Sequence, residues 1–148
     1  MHEEYMRQAL DLAREAAACG EVPVGCVIVK DGRVIGRGRN RREERQAAWS
    51  HAEMEAMAQA NAALDSWRLE GCDLYVTLEP CPMCAGAIVM AGIDAVFFGA
   101  YDPRCGCAGS LYDLPEDASF GRVIPCSGGL LEAECRLALN AFFDLRRG

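Results

Sequence analysis

The chain has 148 residues, nine of them cysteine; half of the residues are apolar, a quarter are charged, and the net charge is −7. This length suits one conventional core, so we predict a single domain over residues 1–148. Nine irregularly spaced cysteines argue against a secreted disulfide framework, and no apolar run approaches the roughly 20 residues that span a bilayer. The acidic, then amphipathic first residues do not resemble a signal peptide. We therefore expect a soluble cytoplasmic protein without a membrane partner.

The first half of the chain reads as a helix, a hairpin and a second helix. Apolar spacing predicts a helix over about residues 3–19, ended near Gly20. Apolar runs at 22–29 and 34–35 flank Asp31-Gly32, a dipeptide typical of hairpin turns. A polar loop over about 40–50 follows, and Ser50 is predicted to cap a helix over about 51–64.

The second half alternates strands and helices. We predict strands at 74–78 and 95–98, the latter bounded by Gly99, and an edge strand at 122–126. A helix from Pro82 to about Ala91 lies between the first two, and apolar spacing predicts a last helix over about 131–145. This alternation predicts a three-layer α/β domain with a mixed sheet. In such sheets, ligands bind where strands lead into helix starts, here at His51 and Pro82.

Two cysteines three residues apart, Cys81 and Cys84, lie at the second of these helix starts. Helical spacing puts them on one face, and the helix dipole stabilises the thiolate form that binds metal. The same spacing also occurs in thiol redox sites and among ordinary buried thiols, so this pair alone leaves three interpretations open.

The first helix start carries His51-Ala-Glu53. Because the chain has only two histidines and His2 is close to the terminus, imidazole chemistry depends on His51. His51, Cys81 and Cys84 would give zinc three protein ligands and leave a fourth position open, as in catalytic sites. Cys105 or Cys107 could supply a fourth ligand instead. Beside the metal, the Glu53 carboxylate would move protons; otherwise it is a solvated helix residue.

A basic segment contrasts with the acidic chain. Between Lys30 and Arg45 there are seven basic and three acidic residues, a local net charge of +4, and Arg146-Arg147 lie near the end of the chain. Such patches can contact phosphate. The simpler interpretation of the first segment is a solvated, arginine-rich hairpin.

The combination of His51-Ala-Glu53 with Pro80-Cys-Pro-Met-Cys84 resembles the zinc deaminase signature. Further segments extend the resemblance over nearly the whole chain, to the bacterial tRNA adenosine deaminase family. These segments are Glu21-Val-Pro-Val-Gly25, Gly38-Arg-Asn40, Leu78-Glu-Pro-Cys-Pro-Met-Cys-Ala-Gly-Ala87, Gly99-Ala-Tyr-Asp-Pro103, Gly106-Cys-Ala-Gly-Ser110 and Ala141-Phe-Phe-Asp-Leu-Arg-Arg147.

The resemblance implies a cytidine deaminase-like α/β/α fold with a mixed five-stranded sheet. It also implies a homodimer with active sites near the subunit interface, and conversion of adenosine to inosine at the wobble position of a tRNA anticodon stem-loop. One Zn²⁺ per chain would be held by His51, Cys81 and Cys84, with Glu53 as proton shuttle.

Six further residues would bind the substrate. Asn40 would hydrogen-bond the flipped-out nucleotide, Val24 and Leu78 would line its pocket, and Asp102 would contact the neighbouring nucleotide. We expect the two arginines near the end of the chain, Arg146 and Arg147, to contact RNA.

One segment departs from the resemblance. The family commonly carries Asp-Pro-Thr-Ala before the histidine, whereas this chain has Ala47-Ala-Trp-Ser50. Trp49 could stack on a base or, more simply, pack against its own domain, and Tyr101 receives no predicted role.

Three alternatives to an RNA-editing enzyme remain at this point. A deaminase of a free base or nucleoside would use the same zinc chemistry without a basic surface. A zinc-binding module without catalysis would leave Glu53 without a role, and a thiol oxidoreductase would leave His51 and Glu53 unexplained.

Overall fold

The computed structural model describes residues 1–147. Within these residues the structure has five helices, one short 3₁₀ turn and five strands. The helices are α1 (His2–Ala18), α2 (Arg42–Arg45), α3 (Ala52–Leu64), α4 (Pro82–Ala91) and α5 (Glu132–Arg147); the strands are β1 (Gly25–Lys30), β2 (Arg33–Arg39), β3 (Cys72–Leu78), β4 (Ala95–Ala100) and β5 (Cys126–Ser127). Among these residues, no helix is both long and apolar enough to cross a bilayer.

The five strands form one mixed sheet in the order β2-β1-β3-β4-β5. Strand β1 is antiparallel to both of its neighbours, whereas β3, β4 and β5 are parallel. Asp31 and Gly32 turn β1 into β2 with φ angles of 51° and 75°. Positive φ at both central positions defines the turn that matches the twist of a hairpin, so the predicted hairpin is confirmed.

Helices cover both faces of the sheet, because alternate residues of the inner strands point in opposite directions. On one face, Cys26 and Ile28 of β1 join a core with α3 and α4. On the other, Val27 and Val29 join a core with α1 and α5. The predicted three-layer α/β/α fold with a mixed five-stranded sheet is confirmed.

Two glycines of β2 let helix α3 lie unusually close to the sheet. A Cβ atom at Gly36 would lie 2.3 Å from the Ala56 carbonyl oxygen, and one at Gly38 would lie 2.3 Å from that of Ala52. No real side chain makes such contacts with backbone. The depth at which α3 sits, and therefore the position of its first turn, depends on these two residues.

The structure corrects several predicted boundaries. Ser50 does not cap α3: the N-cap is His51, and the Ser50 hydroxyl donates to Glu55 at 2.9 Å. The predicted loop after Asn40 contains the short helix α2. Strand β4 continues through Gly99, because the absent side chain leaves room for Cys135 of α5.

The predicted edge strand at 122–126 is also only partly right. Pairing begins at its last residue, and β5 comprises Cys126 and Ser127 beside β4. The preceding residues lack continuous ladder bonds, because the Ile124 N–H donates to the Pro115 carbonyl in a loop.

Candidate active site

The sheet topology brings four predicted pocket residues to one edge. Strands β3 and β4 are parallel, so Leu78, the last residue of β3, and Asp102, two residues after β4, lie at the same edge. Strand β1 runs the other way, so its beginning, next to Val24, lies at that edge too. The end of β2 pairs with the start of β1, which adds Asn40. The amino termini of α3 and α4 face this edge.

The three predicted metal ligands lie together. His51 is the N-cap of α3, Cys81 is the N-cap of α4, and Cys84 lies in the first turn of α4. The Nδ1 atom of His51 is 3.5 Å from the Cys81 Sγ atom and 3.6 Å from the Cys84 Sγ atom. All three ligand atoms lie within 4.8 Å of one another.

These separations fit zinc. With Zn–S bonds of about 2.3 Å and a Zn–N bond of about 2.05 Å, tetrahedral coordination places sulfur and nitrogen about 3.6 Å apart. Within residues 1–147, neither Cys105 nor Cys107 belongs to this ligand group. The described site therefore offers zinc three protein ligands and leaves the fourth position open, as catalytic zinc requires.

The two thiols of the ligand group influence each other's ionisation. Hydrogen bonding from Cys84, together with that of His51, outweighs burial and lowers the pKa of Cys81 to about 4. The hydrogen bond to Cys81 and burial raise the pKa of Cys84 far above its ordinary value. On their own, the two thiols therefore keep one proton between them. A divalent ion would offset two thiolates and allow both to bind.

Glu53 lies in the first turn of α3, two residues after His51, and its side chain is only 3% exposed. Burial, with a further contribution from the nearby Cys81 thiolate, raises the pKa of Glu53 to about 7. A carboxyl group with this pKa can both accept and release a proton near neutral pH. This environment excludes the solvated helix residue considered from the sequence.

A pocket of about 230 Å³ opens over these residues. Its lining contains all four predicted pocket residues: Val24, Asn40, Leu78 and Asp102. Sequence reasoning gave no role to three further lining residues, Val22, Ala52 and Glu79. Arg42 was considered only as part of the basic segment and Cys105 only as a fourth zinc ligand, and both also line the pocket.

Asn40 is fixed from both ends of its amide. The Nδ2 group donates to the Val22 carbonyl oxygen at 3.3 Å, and Oδ1 accepts the backbone N–H of Arg42 at 3.1 Å. One N–H and one lone pair remain for a ligand. The Asn40 side chain is therefore fixed in position and can still make hydrogen bonds to a ligand.

The carboxylate of Glu79 organises the loop on the opposite wall. It accepts backbone N–H groups from Asp102 at 2.9 Å, Ala108 at 3.0 Å and Ser110 at 2.9 Å, and it also accepts the Ser110 hydroxyl. Glu79 is 2% exposed. These hydrogen bonds outweigh the effect of burial and lower the pKa of Glu79. A Cβ atom at Gly106 would lie 2.3 Å from the Cδ atom of Glu79, so this position has no room for a side chain.

A groove of about 490 Å³ adjoins the pocket and shares Val22, Leu78, Asp102 and Cys105 with it. Its lining includes three arginines: Arg104, Arg136 and Arg147. The two arginines near the end of the chain therefore lie in different environments. Arg146 is not among the groove residues; its guanidinium donates to the Gly20 carbonyl at 3.0 Å and lies 4.4 Å from the centre of the Phe142 ring.

Two aromatic residues near the site retain exposed surface. Trp49 is 55% exposed, so packing against its own domain accounts for less than half of its surface. Tyr101 is 42% exposed and makes an edge-to-face contact with Phe98.

Comparisons with known proteins agree with this site. Residues 1–100 match the cytidine and deoxycytidylate deaminase zinc-binding region. A tRNA-specific adenosine deaminase from Bacillus subtilis (strain 168) is 48% identical over 146 residues, which cover 98% of this chain and 91% of that protein.

Solved structures give the same result for the fold. One from a study of A-to-I editing by tRNA:A34 deaminases at the wobble position superposes with a TM-score of 0.88 at 42% identity, covering 92% of this chain and 99% of that one. A guanine deaminase from Bacillus subtilis is 41% identical with a TM-score of 0.66, but covers only 68% of this chain and 65% of its own. The chain therefore belongs to the zinc-binding cytidine and deoxycytidylate deaminase family and, within it, to the relatives named tRNA-specific adenosine deaminase.

Proposed function

We propose that this protein hydrolyses adenosine to inosine at the wobble position of a tRNA anticodon, consuming one water and releasing one ammonia. The 48% identity to a tRNA-specific adenosine deaminase, which extends over 98% of this chain, supports tRNA as the substrate. A single domain over 1–148 is part of the proposal, since one sheet carries both cores.

His51, Cys81 and Cys84 would hold one zinc ion per chain. When bound, zinc supplies the Lewis acidity that lets water lose a proton near neutral pH. Glu53 would take one proton from the attacking water and give it to a nitrogen of the purine ring. It would then move the proton of the hydroxyl added to the ring carbon to the amino group, which departs as ammonia. Its raised pKa suits both halves of this transfer.

The remaining pocket residues would position the base. The free N–H of Asn40 would donate to the nucleotide, while Val24 and Leu78 would pack against the two sides of the purine. Asp102, which lines both the pocket and the groove, would contact the adjacent nucleotide.

The main structural support for an RNA substrate is that the pocket and the groove adjoin and share lining residues. At about 230 Å³ the pocket is smaller than the roughly 300–1,000 Å³ of most drug-sized ligand sites, so it suits a single base. The adjoining groove, lined by Arg104, Arg136 and Arg147, would accommodate the phosphates and bases next to it. An anticodon loop presents such unpaired bases.

A deaminase of free bases is the second candidate, because the guanine deaminase relative shares 41% identity over part of the chain. The zinc-loaded protein should be incubated separately with an anticodon stem-loop, free adenosine and guanine. Inosine is then measured by digestion and chromatography, and ammonia by a coupled assay. We expect the stem-loop to be deaminated far more efficiently. Equal or faster turnover of adenosine or guanine would refute the tRNA assignment.

We further propose a homodimer formed through α3 and α4. A groove of about 330 Å³ between these helices is lined mainly by apolar residues, among them Met54, Met57 and Ala87. Trp67 is 66% exposed and Met90 is 75% exposed beside it. Exposed apolar surface of this kind is typical of interfaces.

We also propose that the protein works in the cytoplasm. Its nine cysteines form no disulfide among the described residues, which suits a reducing compartment.

A further inference from the structure

Part of the basic segment between Lys30 and Arg45 is neutralised by carboxylates of its own domain. Three of its arginines make ion pairs with carboxylates of α1, α2 and α3. These pairs are Arg39 with Glu15 at 3.6 Å and Glu44 at 3.0 Å, Arg41 with Glu44 at 2.8 Å and Glu55 at 3.7 Å, and Arg45 with Glu55 at 3.0 Å. Glu15 and Glu55 lie outside the segment, so counting them lowers its local net charge from +4 to +2 in the folded protein.

Arg42 differs from these three neighbours. Its side chain is exposed, and among residues 1–147 its guanidinium makes no ion pair and no hydrogen bond. It also lines the pocket that contains His51 and Glu53. An uncompensated cation thus stands at the mouth of the base pocket of an acidic protein.

The backbone that carries Arg42 is fixed by two buried polar side chains. The Arg42 N–H donates to Asn40 Oδ1 at 3.1 Å. On the following turn, the carboxylate of Glu21, which is 1% exposed, accepts the N–H groups of Glu43 at 3.0 Å and Glu44 at 2.7 Å. A side chain that is free at its tip but anchored at its Cα is well suited to reach a ligand group at the rim.

Phosphate is the chemical group that such a position would meet. When a base within an RNA chain enters the pocket, its ribose and the two flanking phosphates stay at the rim. A guanidinium can bind a phosphate through two parallel hydrogen bonds. A free base or nucleoside brings no phosphate, so this contact would favour RNA over both.

Resting on the proposed function, we infer that Arg42 binds a phosphate that flanks the target adenosine. It selects a polynucleotide substrate at the entrance of the pocket, whereas Asn40 and the pocket walls recognise the base itself. The residue acts on substrate positioning and has no part in proton transfer.

The test compares Arg42→Ala and Arg42→Lys with Arg45→Ala, a matched control on the same short helix whose partner is Glu55. Zinc content and melting temperature should stay at the wild-type level in all three. For an anticodon stem-loop, Arg42→Ala should lose about 10- to 100-fold in kcat/KM, the effect of one charged hydrogen-bonded contact. Arg42→Lys should recover part of this, and Arg45→Ala should lose little. Free adenosine brings no phosphate, so its turnover should fall by a smaller factor and the preference for the stem-loop over adenosine should decrease.

A phosphate-specific measurement identifies the contact. Stem-loops with one neutral methylphosphonate, placed 5′ or 3′ of the target adenosine, should lose activity with the wild type at one of the two positions. The same substitution should cost Arg42→Ala nothing more, because the partner is already absent.

The two proposals fail in different ways. A wild-type protein inactive on the stem-loop but active on free bases would overturn the proposed function and this inference with it. An active wild type with an unimpaired Arg42→Ala variant, or with losses that simply add, would overturn this inference alone.

Discussion

Replacing Glu79 by glutamine tests whether one buried carboxylate holds the loop over residues 102–110 in place. Each oxygen of Glu79 accepts two hydrogen bonds: Oε1 from the Asp102 N–H and the Ser110 hydroxyl, and Oε2 from the N–H groups of Ala108 and Ser110. Glutamine has the same shape but replaces one acceptor by an NH₂ group. If that group takes the Oε1 position, the hydroxyl can rotate and accept, but the Asp102 N–H loses its partner.

The number of hydrogen bonds lost sets the expected change in the free energy of unfolding. An unsatisfied buried donor costs about 1–3 kcal/mol, and the remaining bonds lose the strengthening that a charge gives them. We therefore expect Glu79→Gln to lower the free energy of unfolding by about 2–4 kcal/mol, less than the roughly 5–15 kcal/mol that holds a typical domain together. Stem-loop turnover should also fall, because Asp102 lines the pocket and loses its support, while zinc stays bound.

The assay is denaturant unfolding, with Glu116→Gln as control. Glu116 is exposed and accepts a single backbone N–H, from Cys126, so its loss should cost well under 1 kcal/mol. The pH dependence gives a second check. The pKa of Glu79 is lowered in the folded state, so its stabilisation is complete above the ordinary value of about 4.3 and is lost as pH falls through the folded value. An unfolding energy within about 0.5 kcal/mol of wild type at pH 7 would refute this account.

Three further predictions concern the metal, the proton and the subunit contact. Cys84→Ala should lose zinc and activity together, and full zinc by metal analysis would remove Cys84 from the ligand set. Glu53→Gln should keep zinc and lose about 10²–10⁴-fold in kcat; a variant with wild-type turnover would rule out the proton shuttle. Met90→Glu should convert a dimer to a monomer in sedimentation experiments, whereas unchanged mass would place the interface elsewhere.

Local sequence patterns predicted the parts of this protein that depend on local geometry. Asp31-Gly32 predicted the hairpin because the turn needs two positive φ angles, which these residues tolerate. The Cys81 and Cys84 spacing predicted a shared helix face, and the single internal histidine left His51 as its partner. These inferences need no knowledge of distant contacts.

The remaining features depend on contacts that the sequence does not display. Ser50 failed as a cap because Glu55 accepts its hydroxyl and His51 takes the N-cap position. The roles of Glu21 and Glu79 were missed, since each carboxylate binds backbone groups more than 20 residues away. The net charge of the basic segment was overestimated for a similar reason: Glu15 of α1, which pairs with Arg39, and Glu55 of α3, which pairs with Arg45, lie outside the segment.

The close contact of α3 with Gly36 and Gly38 has a consequence for genetic screens. Any larger residue at either position would push against the backbone of α3 near Ala52 and Ala56, and α3 begins next to His51, a proposed metal ligand. A collection of inactive mutants should therefore include substitutions on an outer strand that supplies none of the proposed metal ligands. Such alleles would differ from ligand mutants in their lowered melting temperature, and second-site changes that shorten α3 side chains would not restore them, because the obstacle is main chain.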